Sequence, residues 1–319
     1  MFSVSQQQSA AFSQQVILTD EKIQTQVTVL PACGAILHGF TILHHSEILN
    51  LVEGYESDAD FRANAESKGF RNIKMSPFAC RIRDAQYRYN GELHTIHKFL
   101  LNGSAIHGLL YNESFTVVKT WADEERAGVL LAFEYKGTDP GYPYHFTCEI
   151  MYELGAGNAL TLTTVITNKD KTAMPIQDGW HPYFTFGGSI NDLELFFNSD
   201  SLVEFDDALV PTGILSPFTE FGASKKLGDR FFDNCFTLKP GSEGPACTLT
   251  DTVKKLRLSV WPDQSYPYLQ LYTPPHRQSI AVENISAAPD AFNNGMGLLV
   301  LQPEGAAQFA ATYQITSLL

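Results

Sequence analysis

Cysteine is scarce in this chain, and the cysteines present lack the spacing of a disulfide framework or a zinc site. The five are widely separated and include no C-x-x-C pair: Cys33, Cys80, Cys148, Cys235 and Cys247. Such spacing favours reduced thiols in a cytosolic protein. The sequence also lacks a P-loop, a Gly-rich dinucleotide fingerprint and a zinc-ligand motif. We therefore predict a cytoplasmic protein without a metal site.

Positive charge and long apolar runs are also in short supply. The chain has 22 Lys and Arg against 35 Asp and Glu, a formal net charge of -13. A polyanion needs a cation at each phosphate contact, so we expect no nucleic-acid partner. The first residues lack a basic leader joined to an apolar core, and no later run is long enough to cross a bilayer. We expect a soluble, unexported protein with no membrane partner.

No linker divides the sequence. It contains no Pro/Ser-rich segment, no block of like charge and no repeat of fixed period. Of the 319 residues, 44% are hydrophobic, which is enough for a large core. We predict one domain over residues 1–319, of which residues 1–15 are expected to be poorly ordered.

Helical periodicity is scarce, whereas period-two alternation dominates. We predict one short helix over residues 58–67, with Asp58 as its N-cap. Strands are predicted at 25–30, 114–121, 129–135, 146–154, 159–167, 255–260, 268–273, 279–283, 298–301 and 309–315. The turn sequences Asn90-Gly91 and Gly155-Ala156-Gly157-Asn158 predict hairpins. So many strands need two sheets packed face to face, and we predict an all-β fold, a large antiparallel β-sandwich with few short helices.

Strand alternation separates a core face from a polar face near the end of the chain. Glu283 lies on the face opposite Val282, and Gln270 lies on the face opposite Leu269 and Leu271. The two strands therefore offer a hydrogen-bonding surface suited to a polyol.

Two arginines stand two positions apart in the segment CRIRDAQYRYNG at 80–91. On a strand, Arg81 and Arg83 would lie together on the face opposite Cys80 and Ile82. They would supply fixed donors for sugar oxygens or for an anion.

The segment GWHPYF places His181 among aromatic residues, and Glu283 ends an apolar strand pattern about a hundred residues later. With ordinary pKa values of about 6.5 and about 4.3, the imidazole is partly protonated and the carboxyl is charged near neutrality. The pair could act as general acid and general base. The plainer interpretation is a structural histidine and a solvent-exposed strand end.

Five segments, taken in order, resemble those of the aldose 1-epimerase (galactose mutarotase) superfamily. They are ACRIRDAQYRYNG at 79–91, IHGLLYN at 106–112, GWHPYF at 179–184, DNCF at 233–236 and LQLYTPPHRQSIAVENISAAPDAFNNG at 269–295. The first and last are the most specific. The resemblance implies a large antiparallel β-sandwich, interconversion of the α and β anomers of an aldose, a small-molecule sugar as partner, and neither a metal nor an organic cofactor.

The resemblance also implies a role for each matching position. His181 resembles the general acid that protonates the ring oxygen, and Glu283 resembles the base that removes the proton of the C1 hydroxyl. Four further positions resemble residues that bind the sugar: Arg81, His107, Asp233 and Gln270.

Three other functions stay open on the sequence alone. A hexose-6-phosphate 1-epimerase would use the same acid and base with a cationic phosphate pocket, for which the candidates are Arg71, Lys74, Arg83 and Arg277. A catalytically silent sugar-binding protein could keep the same fold. A retaining glycosidase would need the carboxyls of Asp233 and Glu283 about 5–5.5 Å apart.

Overall fold

A computed structural model describes residues 1–318, which form antiparallel strands with few helical turns. The first strands in chain order are β1 (Phe2–Gln7), β2 (Gln15–Asp20), β3 (Thr25–Leu30), β4 (Ile36–His44), β5 (Glu47–Asn50), β6 (Lys74–Met75), β7 (Arg81–Ile82), β8 (Gln86–Tyr89), β9 (Glu92–Thr95), β10 (Leu100–Leu101), β11 (Ser104–Ile106), β12 (Thr116–Ala122), β13 (Arg126–Lys136), β14 (His145–Gly155) and β15 (Ala159–Asn168). The remaining strands are β16 (Met174–Ile176), β17 (Gly179–Trp180), β18 (Tyr183–Phe184), β19 (Glu194–Phe197), β20 (Ser201–Phe205), β21 (Pro211–Pro217), β22 (Lys225–Lys226), β23 (Asp233–Thr237), β24 (Cys247–Asp251), β25 (Leu256–Pro262), β26 (Tyr268–Tyr272), β27 (Ile280–Ile285), β28 (Leu299–Leu301) and β29 (Ala306–Ser317). The helical segments are α1 (Asp58–Asn64), α2 (Ala291–Asn294) and the 3-10 turns Arg83–Ala85 and Ile190–Asp192.

Three large sheets carry the fold. The first is the meander β1-β2-β3-β4-β5, and the second is a nine-stranded sheet in the order β12-β13-β14-β15-β29-β25-β24-β19-β22. The third, an eight-stranded sheet, has the order β21-β20-β23-β26-β27-β17-β6, with β18 also paired to β27. Smaller groups are β10-β11-β7, β16-β28 and β8-β9.

The nine-stranded and eight-stranded sheets pack face to face through aromatic side chains. The ring of Phe184 lies 5.3 Å from that of Tyr313, and the ring of Phe197 lies 4.7 Å from that of Phe236. Alternation along each strand directs one set of side chains into this interior and the other set away from it. The predicted large antiparallel β-sandwich is therefore confirmed.

Each strand predicted from alternation has a counterpart, with ends that differ by up to three residues, as where a start predicted at 129 is observed at Arg126. The hairpin turn at Asn90-Gly91 has positive φ at both residues, 51° and 84°, as a two-residue turn between twisted strands requires. The helix cap was predicted wrongly by one position. The Ser57 side chain, rather than that of Asp58, accepts the cap hydrogen bond, from the Asp60 N–H.

The alternation pattern missed many short strands, including β17 and β18 on either side of His181. A strand of two or three residues is too short to show a period of two. The pattern also gave no signal at the start of the chain, where residues 1–15 were expected to be poorly ordered. The structure places β1 there, paired along its whole length with β2. Within residues 1–318, none of the helices has the length and apolar character needed to span a membrane.

A buried ion pair joins β6 of the eight-stranded sheet to the segment that precedes β17. Lys74 in β6 and Asp178 just before β17 contact each other with fully buried side chains. The Tyr266 hydroxyl donates to Asp178 Oδ2 at 2.7 Å, and the Lys74 ammonium lies 4.6 Å from the centre of the Trp180 ring. The contacts fix the two segments relative to each other.

Removal of one partner of this pair should destabilise the fold strongly, because the other charge would stay buried without compensation. We expect Lys74→Met to lower the free energy of unfolding by about 3–5 kcal/mol. Urea denaturation at neutral pH measures the change. Lys225→Met, in the exposed pair with Glu220, is the control and should have a much smaller effect. Equal losses in the two variants would contradict this account.

Candidate functional site

Strand pairing brings polar side chains from distant parts of the chain together. In the β26–β27 ladder Gln270 lies directly opposite Glu283, and in the β23–β26 ladder Asp233 lies opposite Tyr272. Leu269 points to the opposite, buried face, as alternation predicted. One face of the eight-stranded sheet therefore presents two carboxyls and an amide to the same space.

His181 lies between two short strands that both pair with β27. Its backbone N–H donates to the Ile73 carbonyl at 3.1 Å, and its carbonyl accepts from the Asn72 N–H at 2.9 Å. The imidazole stacks on the Tyr183 ring with centroids 5.1 Å apart and an interplanar angle of 7°. Backbone and ring are thus both fixed.

His107 is held by an unusual backbone turn. Its φ is 58°, in the left-handed region, and Gly108 follows with φ 85°. A Cβ at Gly108 would lie 2.3 Å from the Ser76 carbonyl oxygen, so only glycine fits there. His107 Nδ1 lies 3.1 Å from Met75 Sδ, and its ring meets that of His181 edge-on at 5.0 Å.

These side chains line one cavity of about 250 Å³. It includes every site residue predicted from the sequence: Arg81, His107, His181, Asp233, Gln270 and Glu283. His181 Nε2 lies 3.3 Å from Glu283 Oε1. Gln270 Nε2 donates to Asp233 Oδ1 at 3.0 Å. A histidine and a carboxyl thus meet in the wall of a single pocket.

Three buried polar atoms in this wall lack a hydrogen-bond partner among residues 1–318. They are His181 Nδ1, Gln270 Oε1 and Glu283 Oε2. A buried polar atom without a partner costs about 1–3 kcal/mol. Their concentration at one cavity indicates a site built to exchange hydrogen bonds with a polar ligand.

Burial controls the protonation of the pair. The side chains of His181 and Glu283 are 6% and 2% exposed. Burial, with a smaller contribution from the Asp233 charge, raises the pKa of Glu283 well above its usual value. Burial also lowers the pKa of His181 to about 3. Burial therefore disfavours the charged pair expected from ordinary pKa values and favours the neutral forms of both groups.

Burial also shifts the pKa values of Asp233 and His107. Burial raises the pKa of Asp233, opposed by the nearby Arg81 charge and the Gln270 hydrogen bond. Burial, followed by the charges of His181 and Arg81, lowers the pKa of His107 well below its usual value.

The two arginines predicted to share a strand face do not lie on one strand, although both line a second cleft next to the cavity. Strand β7 ends at Ile82, and Arg83 begins a 3-10 turn in which Asp84 has φ 52°. Arg81 lines the cavity and Arg83 does not. Cys80, predicted to point away from Arg81, lines the same cavity because its own φ is 54°.

The cationic residues considered for a phosphate pocket do not converge. Arg71 pairs with Glu53, and Lys74 is in the buried pair already described. Arg83 pairs with Asp206. Arg277 donates to the Asn191 side chain and to two backbone carbonyls. Arg81 is the one Lys or Arg that lines the cavity within residues 1–318.

Several lining residues were missed by the sequence reasoning: Phe70, Tyr183, Phe205 and Leu209. Tyr183 lies two positions after His181 in GWHPYF, and that spacing could have suggested it. Phe70 and Leu209 lie in loops, and Phe205 ends the short strand β20, which alternation did not predict. No group of three or more His, Cys, Asp or Glu in residues 1–318 is arranged to hold a metal ion.

Comparison with known proteins identifies the family. Residues 15–314 match the family model described as aldose 1-epimerase. The chain belongs to the aldose 1-epimerase family. The resemblance predicted from five short segments is thus confirmed over most of the sequence.

Relatives of this aldose 1-epimerase family member include an uncharacterized Escherichia coli K12 protein, YihR. It is 28% identical over 237 residues, which cover 72% of this chain and 73% of YihR. A galactose mutarotase-like protein from Clostridium acetobutylicum has the same fold, with a TM-score of 0.85, 16% identity and 99% of each chain covered. A galactose 1-epimerase from Lactobacillus acidophilus aligns with a TM-score of 0.80 and 20% identity over 100% of this chain and 99% of its own.

The buried carboxyl should make stability depend on pH. Below about pH 4.5, the ordinary pKa, Glu283 is protonated in both the folded and the unfolded chain. As the pH rises, the unfolded chain ionises while the folded carboxyl stays protonated, so the wild type loses up to about 1.4 kcal/mol of stability per pH unit. We expect Glu283→Gln to gain stability over the wild type progressively above this pH.

Urea denaturation from about pH 4 to about pH 8 measures this difference. The control, Glu243→Gln, changes an exposed carboxyl, and its difference from wild type should stay flat. A flat profile for Glu283→Gln would contradict the assigned effect of burial.

Proposed function

We propose that this chain is an aldose 1-epimerase that interconverts the α and β anomers of an unphosphorylated aldose. The observation that carries the proposal is the 3.3 Å contact of His181 Nε2 with Glu283 Oε1 in one cavity. Among the residues that the structure describes, a buried polar atom of each side chain has no hydrogen-bond partner. The pair thus has the geometry to exchange protons with a bound hemiacetal.

The chemistry needs two proton transfers and no change in oxidation state. The ionised Glu283 removes the proton of the C1 hydroxyl. The electron pair of that O–H bond forms the C1 carbonyl. The bond from C1 to the ring oxygen breaks, and the ring oxygen takes a proton from His181. Rotation about the C1–C2 bond and reversal of these steps close the other anomer.

The one proton that the carboxyl of Glu283 carries in the neutral form is sufficient for this cycle. In the neutral form that burial favours, Glu283 holds the proton and His181 is uncharged. Transfer of that proton across the 3.3 Å contact gives a carboxylate and an imidazolium without a change in net charge. A substrate hydroxyl that donates to Glu283 Oε2 would stabilise the carboxylate. Substrate binding therefore sets the reactive charge state.

The remaining side chains suit recognition of a polyol. Gln270 already donates to Asp233, so its free Oε1 can accept from a sugar hydroxyl. Arg81 supplies guanidinium donors in the same cavity. His107 meets the edge of the His181 ring and supports its position.

The scarcity of cations in the cavity favours an unphosphorylated substrate. Arg81 is accompanied there by three carboxyl groups, those of Glu66, Asp233 and Glu283. A phosphate carries about -1.5 to -2 charges near neutrality and needs several cationic partners. Of the other candidate cations, Arg71, Lys74 and Arg83 are engaged in ion pairs outside the cavity. Arg277 is held by hydrogen bonds to Asn191 and to two backbone carbonyls.

Loss of the acid or the base should remove most of the rate acceleration. We expect Glu283→Gln and His181→Asn each to slow anomerisation by roughly 10²–10⁴-fold, because each removes one positioned proton-transfer group. Polarimetry of freshly dissolved α-glucose or α-galactose, or NMR exchange, measures the rate.

Glu304→Gln and His276→Asn, at exposed positions outside the cavity, are the matched controls and should keep the wild-type rate. Near-normal catalysis by either site variant, with folding verified by circular dichroism, would remove the assignment of that residue.

Loss of the binding groups should weaken substrate binding and also slow turnover. We expect Arg81→Ala and His107→Ala to raise KM and lower kcat, because each supports the position of the sugar and the charge shift at C1. Steady-state polarimetry separates the two constants. A loss of thermal stability with unchanged kcat and KM would show a purely structural role.

A further inference from the structure

We propose that Asn72 is a positioning residue that holds His181 and Tyr183 in the orientation that proton transfer to the substrate requires. Asn72 does not line the cavity, so it acts through its neighbours rather than on the sugar. The inference rests on the proposed role of His181 as the acid of an anomerase. It adds to that function a residue whose contribution comes from the hydrogen bonds it makes.

The strand ladder is interrupted where His181 stands. Strand β17 ends at Trp180 and β18 begins at Tyr183, and Pro182 between them has no backbone N–H. Asn72 supplies partners on both sides of this gap. Its backbone N–H donates to the His181 carbonyl at 2.9 Å, and its side-chain Oδ1 accepts from the Tyr183 N–H at 2.8 Å. One residue therefore holds both ends of the interrupted segment.

A third contact closes a ring of hydrogen bonds around the gap. The Asn72 side-chain Nδ2 donates to the Glu53 carbonyl, and the Glu53 N–H donates in turn to the Tyr183 carbonyl at 3.0 Å. Asn72 is 1% exposed, so the ring is withdrawn from water. Removal of the Asn72 side chain would take this partner from a buried Tyr183 N–H and open the ring.

The backbone of Asn72 suits this double contact. Its φ is 60°, in the left-handed region that asparagine adopts more readily than most residues and glycine adopts without strain. Replacement by glycine can therefore keep the turn and the backbone bond to His181 while it removes both side-chain bonds. The variant separates the role of the side chain from that of the turn.

The Tyr183 ring transmits the effect of these bonds to the imidazole. It stacks on His181 with centroids 5.1 Å apart, and its hydroxyl donates to the Gly69 carbonyl at 2.7 Å. A displacement of Tyr183 would shift His181 Nε2 relative to Glu283 Oε1, which lies 3.3 Å away. A misplacement of about 1 Å in reacting groups can slow a reaction by about 10²-fold. Asn72 should therefore affect the rate of the chemical step rather than substrate binding.

The first test measures kcat and KM of the full-length protein by steady-state polarimetry of α-glucose or α-galactose. We expect Asn72→Gly to lower kcat by roughly 10-fold and to leave KM within about twofold of the wild type. Asn158→Gly is the matched control. Asn158 also has a left-handed backbone, with φ 55°, and its side chain donates to the Ile315 carbonyl at 3.2 Å outside the cavity. It should keep both constants.

Wild-type kcat in the folded Asn72→Gly protein would overturn the proposal, as would a raised KM with unchanged kcat. Circular dichroism verifies folding. If Asn72→Gly does not fold, Asn72→Asp takes its place, because it has the same shape and keeps the acceptor for the Tyr183 N–H but loses the amide donor to Glu53. The same fall in kcat at constant KM is expected, and wild-type constants would contradict the assignment.

The second test reads the position of the imidazole without relying on activity. In protein labelled with 15N-histidine, the ring signals of His181 are identified by their loss in His181→Asn. We expect these signals to shift in Asn72→Gly and to stay in place in Asn158→Gly. Unchanged signals in Asn72→Gly would overturn the positioning role. Shifted signals in a protein that accelerates no sugar would support that role and overturn the proposed anomerase function.

Discussion

The site depends on the pairing of one buried strand, β27, with its neighbours. Along its length β27 pairs with β26 on one side and with β17 and β18 on the other. Every residue of the strand is buried. Glu283 is therefore held in a fixed direction, opposite Gln270 and beside the turn that carries His181. A shift of one residue in this register would turn the carboxyl toward the core.

The same burial that positions the side chains also determines their protonation. Glu283 and His181 are withdrawn from water by the surrounding sheet and by Tyr183, which stacks on the imidazole. Desolvation disfavours both charges and leaves one proton to be shared over a short contact. Buried polar atoms without partners lower the stability of the fold, as is common at a functional site. The substrate can compensate for it through hydrogen bonds to the unpartnered atoms.

The selectivity proposed for this member of the aldose 1-epimerase family follows from the contacts of its Lys and Arg side chains. Arg71, Lys74 and Arg83 each pair with a carboxylate outside the cavity. Arg81 is the one Lys or Arg that lines the cavity within residues 1–318, which suits an uncharged polyol rather than a phosphate.

The sequence by itself determined the class of fold and the candidate acid, base and sugar-binding residues. Strand alternation is a local property, so it identified the long strands and the polar face of Gln270 and Glu283. Local pattern could not determine the short strands, the cap at Ser57 or the 3-10 turn that begins at Arg83, because these depend on turns fixed by long-range contacts. Only the tertiary structure decided the proton distribution between His181 and Glu283. Desolvation by surrounding elements sets those pKa values, and no local segment contains that information.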